Sequence, residues 1–299
     1  MIFISQYHMA RFKLLIEYAG TRYSGWQIQK NAKTVAGEIE RAIHEATRRK
    51  QFELYGAGRT DAGVHAIGQV AHLDLYTDLT PAALRGRINE ALPSDIYIRA
   101  ADSVPHRFHA RHDARQRSYV YQISRRKTAF FKPYVWWIKE RLDAAAMRDA
   151  AAAFVGMRDF ASFTADEPDE KSTKVLIDGI EVAVDGDLIL VRVAGSHFLW
   201  RMVRRIVGVL AAVGRRDITV GTAASFLDER SNAPATLTAP ASGLFLEAVL
   251  YANGERLGPL RSVPRVSAAE GGGRSTEDGG RTTEDGGRVR GRLRQADRE

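Results

Sequence analysis

The 299-residue chain contains no cysteine. Disulfides, thiolate metal sites and cysteine nucleophiles are thereby excluded, and a cytoplasmic setting is the expectation. Long apolar runs are also missing. The longest apolar stretch, Phe198 to Val213, is broken by Arg201, Arg204 and Arg205. It falls short of the ~20 residues that a membrane-spanning helix needs, and it reads as a core helix. Met1 to His8 lacks the basic start and apolar centre of a signal peptide, so no membrane partner is expected. This leader shows no pattern, and the expectation is that translation starts at Met9 or that residues 1–8 are disordered.

Positive charge is in excess, with a net of +8. The segment from Ser262 onward holds eight Arg and seven acidic residues, so the body carries about +7. A basic body suits a polyanion such as RNA, although charge of this size also occurs in proteins that bind none. Residues 256–299 contain a repeat, Gly-Gly-Arg-Ser-Thr-Glu-Asp followed by Gly-Gly-Arg-Thr-Thr-Glu-Asp, and almost no large apolar side chains. Such a tail buries too little surface to offset its ordering entropy and is expected to be disordered.

Periodicity divides the rest. Phe12, Leu14, Ile16 and Tyr18 alternate with Lys13, Leu15 and Glu17, which predicts a first strand. Thr34 caps a predicted helix carrying Val35, Ile39, Ala42, Ile43 and Ala46 on one face. Val64 to Leu75 follows as a strand, Thr80-Pro81 opens a helix, and Asp95 to Ala100 is a short strand. A basic segment, His106 to Arg117, leads into a strand with Tyr119, Tyr121 and Ile123. An alanine-rich helix spans about Leu142 to Val155. A hairpin turns at Asp185-Gly186. The Phe198–Val213 helix, a short helix over Val220 to Leu227, a loop over Ser231 to Gly243 and a last strand, Leu244 to Tyr251, complete the body. The order predicts an α+β chain in two comparable halves, residues 9–108 and 109–255.

Residues 56–66 read Gly-Ala-Gly-Arg-Thr-Asp-Ala-Gly-Val-His-Ala. Gly56, Gly58 and Gly63 permit positive φ and close backbone approach, so this loop can hold Asp61 at the bottom of a cleft. Arg59 supplies a nearby cation, which favours an ionised carboxylate. An ionised aspartate can serve as nucleophile or general base. The glycines alone would equally fit an ordinary turn with Asp61 bonded to its own backbone. No Gly-Lys-Ser/Thr follows, so the loop is not a Walker loop. A metal site built from Asp61, His65, His72 and Asp74 is a rival, with a spacing that matches no known ligand motif.

The eleven-residue string resembles the catalytic motif of the TruA family of tRNA pseudouridine synthases. The resemblance extends through Tyr18, Ala19-Gly20-Thr21, Tyr23 and Gly25-Trp26-Gln27, and through Leu92-Pro93-Ser94-Asp95-Ile96 and Phe108-His109-Ala110-Arg111. It continues in Arg117-Ser118-Tyr119-Val120-Tyr121, Met202-Val203-Arg204, Ile206-Val207-Gly208, Ala239-Pro240-Ala241, Gly243-Leu244 and Leu246. Coverage runs from about Met9 to Tyr251. Ala19, His112 and Arg205 depart from the family pattern, which puts substrate choice in question more than chemistry.

The resemblance implies the pseudouridine synthase fold: two similar halves, a largely antiparallel central sheet flanked by helices, and an active-site cleft between them. It implies isomerisation of uridine to pseudouridine in the anticodon stem-loop of tRNA, with no cofactor and no metal. Asp61 would be the catalytic nucleophile. Arg204 would pair with it, and Arg59 would support it or meet a phosphate. Tyr119 would stack on the extruded base, and Leu244 would wall the pocket. Arg107 and Arg111, in the basic segment, would contact tRNA phosphates, and Arg201 with Arg205 would extend that positive surface. Family members act as homodimers on one tRNA.

Overall fold

The computed structural model describes residues 8–165, 172–252 and 254–263, all within one compact unit, Met1–Pro264. Of the leader expected over residues 1–8 and the tail expected over 256–299, residues 1–7 and 264–299 lie outside the described residues; His8 is part of the first strand, and Val263 exchanges two hydrogen bonds of 2.7 Å with the Gln122 side chain.

The first half opens with strand β1 (His8–Tyr18), in which Phe12, Leu14, Ile16 and Tyr18 are all buried, as alternation requires. Helix α1 (Val35–Thr47) begins where the Thr34 hydroxyl accepts the Gly37 N–H at 3.3 Å, and it stops at Arg48 in the left-handed conformation. Strand β2 (Phe52–Gly56), which periodicity did not single out, precedes strand β3 (His65–Thr77). Helix α2 (Pro81–Ala91) has its proline in the first turn and Thr80 as its cap. Strand β4 (Ile96–Val104) closes the half.

The second half comprises strand β5 (Gln116–Ser124), the two-residue β6 (Trp136–Trp137), helix α3 (Ala144–Ala152) and strand β7 (Gly156–Asp159). Next come strands β8 (Lys174–Asp185) and β9 (Leu188–Gly195), helix α4 (Met202–Arg215), the short helices α5 (Val220–Ser225) and α6 (Ala233–Thr236), and strand β10 (Leu244–Leu250). Helix α6 lies inside the stretch expected to be a loop. Helix α4 starts at Met202, later than the Phe198 expected, because Arg201 adopts φ 63° and breaks the helical path. Its core character is as expected: nearly every residue from Met202 to Gly214 is buried.

These strands form one sheet in the order β4-β1-β3-β10-β5-β9-β8-β7, with β2 also on β3 and β6 on β5. The pairings along this order are antiparallel except β10 with β3, a parallel seam of two residue pairs, Phe245 with His65 and Leu246 with Ala66. The last strand thus joins the halves. It crosses β3 closely at Gly68, where a Cβ would meet the Glu247 carbonyl oxygen at 2.2 Å. The fold is mixed α+β with a mostly antiparallel central sheet, and no described helix is long and apolar enough to cross a membrane.

Candidate active site

A cleft of about 1040 Å³ opens where the halves meet, lined by Asp61 and its loop from the first half and by residues of β5, α4 and β10 from the second. Asp61 sits at a tight turn. The Val64 N–H reaches the Asp61 carbonyl at 3.2 Å, and Gly63, at φ 78°, occupies the third position, as a type II turn demands.

The loop is fastened at nearly every residue. Ala57 N–H bonds the Val70 carbonyl, Gln69 Nε2 donates to the Gly58 carbonyl at 3.0 Å, and Trp26 N–H donates to the Thr60 carbonyl at 3.1 Å. Gly63 N–H donates to the Tyr23 carbonyl. Beneath it, the buried Tyr18 and Thr60 hydroxyls share a hydrogen bond of 2.8 Å. The close approach of residues 23–26 depends on Gly25, at φ 92°, where a Cβ would lie 2.5 Å from the Thr60 oxygen. Behind the loop His65 is a buried staple: Nδ1 accepts the Gly20 N–H at 3.0 Å, and Nε2 bonds the Pro133 carbonyl at 2.9 Å. Its ring lies against Phe245 and Tyr134. Sequence reasoning did not assign this supporting set. Its signal was the long resemblance around residues 18–27 and the Thr and His within the eleven-residue string.

Asp61 is half-buried, and its Oδ2 accepts Nη1 of Arg204 at 3.3 Å. Arg204 Nε is anchored to the Ala239 carbonyl at 2.7 Å, so the guanidinium is aimed before it meets the carboxylate. Gly208 explains that anchor, because any Cβ there would strike the Leu237 carbonyl. Arg59, the other cation considered for Asp61, is exposed on the cleft lining.

Tyr119 and Leu244 face this cleft from adjacent strands. The Tyr119 ring packs edge-on to Phe198 at 5.2 Å. Burial pushes its hydroxyl up to about 12, with Arg117 pulling the other way and Asp61 adding to the rise. Tyr121 is fully buried, with its hydroxyl on the Pro240 carbonyl.

The basic segment divides. Arg111 is exposed and lines the cleft, whereas Arg107 is exposed elsewhere. Arg117 donates to the carbonyls of Ala114, Ser196, Ala57 and Arg111 and holds the segment in place, so its N–H groups serve the fold. Arg205 does not extend a positive surface: it is buried and donates to the Ser162 and Thr164 carbonyls. The rival metal set is dispersed. Both His65 nitrogens are engaged, His72 Nδ1 accepts the Ala110 N–H, and Asp74 pairs with Arg11. Among the described residues no three or more acids and histidines are grouped to hold a metal.

Comparison with known proteins gives the family. The family model described as tRNA pseudouridine synthase matches residues 14–113 and 150–252. The chain is 38% identical over 244 residues to tRNA pseudouridine synthase A of Pseudothermotoga lettingae, covering 81% of this chain and 99% of that one. It is 41% identical over 246 residues to the protein of that name from Rhodopseudomonas palustris, covering 81% and 100%. A chain of a Cbf5-Nop10-Gar1 complex aligns with a TM-score of 0.33 at 13% identity, over 70% of this chain and 46% of that one, too distant to add weight.

Proposed function

Because this chain belongs to the tRNA pseudouridine synthase family and is an isomerase of uridine to pseudouridine, we propose that Asp61 is its catalytic carboxylate and that the substrate uridine lies in the anticodon stem-loop of tRNA. The observation that carries the residue assignment is the Asp61–Arg204 pair at the cleft, made between opposite halves.

The reaction breaks the N1–C1′ glycosidic bond, turns the base and joins C5 to C1′. The hydrogen at C5 leaves as a proton and N1 gains one, so no atom is added in sum. A paired bed of uridine is too tight for this rotation, and the nucleotide must leave its stack. The cleft offers what the extruded nucleotide needs. Tyr119 and Leu244 present an aromatic and an aliphatic surface to the base. Arg204, fixed by the Ala239 carbonyl, holds the Asp61 carboxylate in place at the cleft. Arg59 and Arg111, exposed at the cleft, meet phosphates on either side. Arg107 stands off the cleft lining and serves a more distant phosphate. The two halves, residues 9–108 and 109–255, act as jaws of one site, and the active form is a cytoplasmic homodimer that shares a tRNA.

Tritium release from tRNA labelled at uridine C5 tests this reading. Wild-type protein releases the label, and Asp61→Ala releases none while still retaining tRNA on a filter. Release by Asp61→Ala at the wild-type rate would remove Asp61 from the chemistry. Release confined to uridines outside the anticodon arm would remove the substrate assignment.

A further inference from the structure

Trp200 and Arg201 stand at the entrance to helix α4, and both line the cleft that holds Asp61. Three features of this pair are unusual. The indole is 48% exposed, although a tryptophan gains most by burial. The Arg201 guanidinium lies over that indole, 4.8 Å from the ring centroid. Arg201 also holds φ 63° and ψ 4°, a left-handed backbone that a side chain with a Cβ adopts at a cost and that glycine would adopt freely. Strain of this kind gathers at binding sites.

The backbone around the pair is firmly set. The Ala165 N–H bonds the Trp200 carbonyl at 3.1 Å, Met202 N–H bonds the Leu199 carbonyl, and Arg205 N–H bonds the Arg201 carbonyl. Arg201 is therefore no loose surface residue. Its side chain makes no capping bond, and the first turn of α4 carries no acidic residue. A half-exposed indole under a cation, inside a cleft that already holds a carboxylate, invites a planar ring with an attached negative charge.

We propose that Trp200 and Arg201 form a platform for the nucleotide next to the extruded uridine, with its base stacked on the indole and its phosphate paired with the guanidinium. This rests on the assignment of the cleft to tRNA uridine. A neighbour left behind when the uridine leaves the stack loses a stacking partner, and the indole replaces it. Every base has a stacking face, so the platform accepts different neighbours. It acts on binding and positioning, apart from the bond-making step at Asp61.

Four full-length variants test this: Trp200→Ala, Trp200→Phe, Arg201→Ala and Arg201→Gly. The RNA is a tRNA transcript with C5-labelled uridine in the anticodon arm, bound over a series of salt concentrations. Trp200→Ala weakens binding and raises KM roughly tenfold, as loss of one stacked base does, while kcat at saturating tRNA holds. Trp200→Phe restores most of the affinity. Arg201→Gly keeps the left-handed backbone and unfolds no earlier than wild type, yet its salt dependence falls by about one counterion. Arg201→Ala falls equally. Unchanged affinity and salt slope in Trp200→Ala and Arg201→Gly, with wild type releasing tritium, would overturn the platform alone. A wild type that binds this tRNA and releases no tritium would overturn the assignment beneath it, and the platform with it.

Discussion

Asp61 and Arg204 are 143 positions apart in the chain and 3.3 Å apart in the fold. No local sequence rule connects them. The glycines around Asp61 would equally have suited an ordinary turn, and it was the eleven-residue resemblance that singled this residue out. Arg204 was legible only through the family resemblance, since an arginine on an apolar helix is ordinary in itself. Arg205 shows the limit: it adjoins Arg204 in sequence, yet helical rotation turns it into the interior, onto two carbonyls. Arg204→Gln keeps a donor for the Ala239 carbonyl but removes the cation beside Asp61. Misplacement of a reacting group by about 1 Å costs roughly a hundredfold, and single-turnover tritium release by this variant falls by that order with little loss of tRNA affinity. A rate within a factor of a few of wild type would dismiss Arg204 as a positioning residue.

Among the elements, helices capped by Thr34 and Thr80 were readable, since their hydroxyls do what the sequence suggests. Strand β2 was not, because five residues pairing with β3 leave too short an alternation to stand out. The start of α4 was misplaced because apolarity continues through Phe198 and Leu199, and nothing in composition announces a left-handed arginine. Gly208 makes an element-scale prediction. Its missing Cβ admits the Leu237 carbonyl against α4, where a methyl group would sit 1.7 Å from the oxygen. Both neighbours are backbone, so neither can swing aside. Gly208→Ala costs at least about 1–3 kcal/mol, the usual range for overpacking, seen as a lower urea midpoint. Its activity drops further than its stability, because Leu237 leads into Ala239, the anchor of Arg204. An unchanged urea midpoint would contradict the close approach.

At the scale of the whole molecule, buried histidines set the response to acid. Burial holds His72 down to about 4, with help from Arg11 and His109 and opposition from Asp74 and Asp113. Burial also lowers His65. The unfolded chain takes up these protons near pH 6.5, well before the folded one does. Stability therefore falls as pH drops from about 6.5 toward 4. Asp74, lowered by its bond to Arg11, adds a further loss as pH falls through the usual carboxylate range and below it. Thermal midpoints decline from pH 7 to pH 5, and His72→Asn shows a shallower decline. Equal midpoints at both values would refute a neutral buried His72.

The α+β class was legible from the order of elements, but the order of strands in the sheet was not, because sequence order says nothing of which strand lies between which. The strand between β3 and β5 is β10, the last of the body. During synthesis, then, β3 and β5 are both made well before the strand that lies between them. The ribosome delivers the joining strand only after more than two hundred residues have emerged. Until it arrives, the sheet lacks the strand that lies between β3 and β5, so the centre of the fold is completed by the last strand of the body to be made.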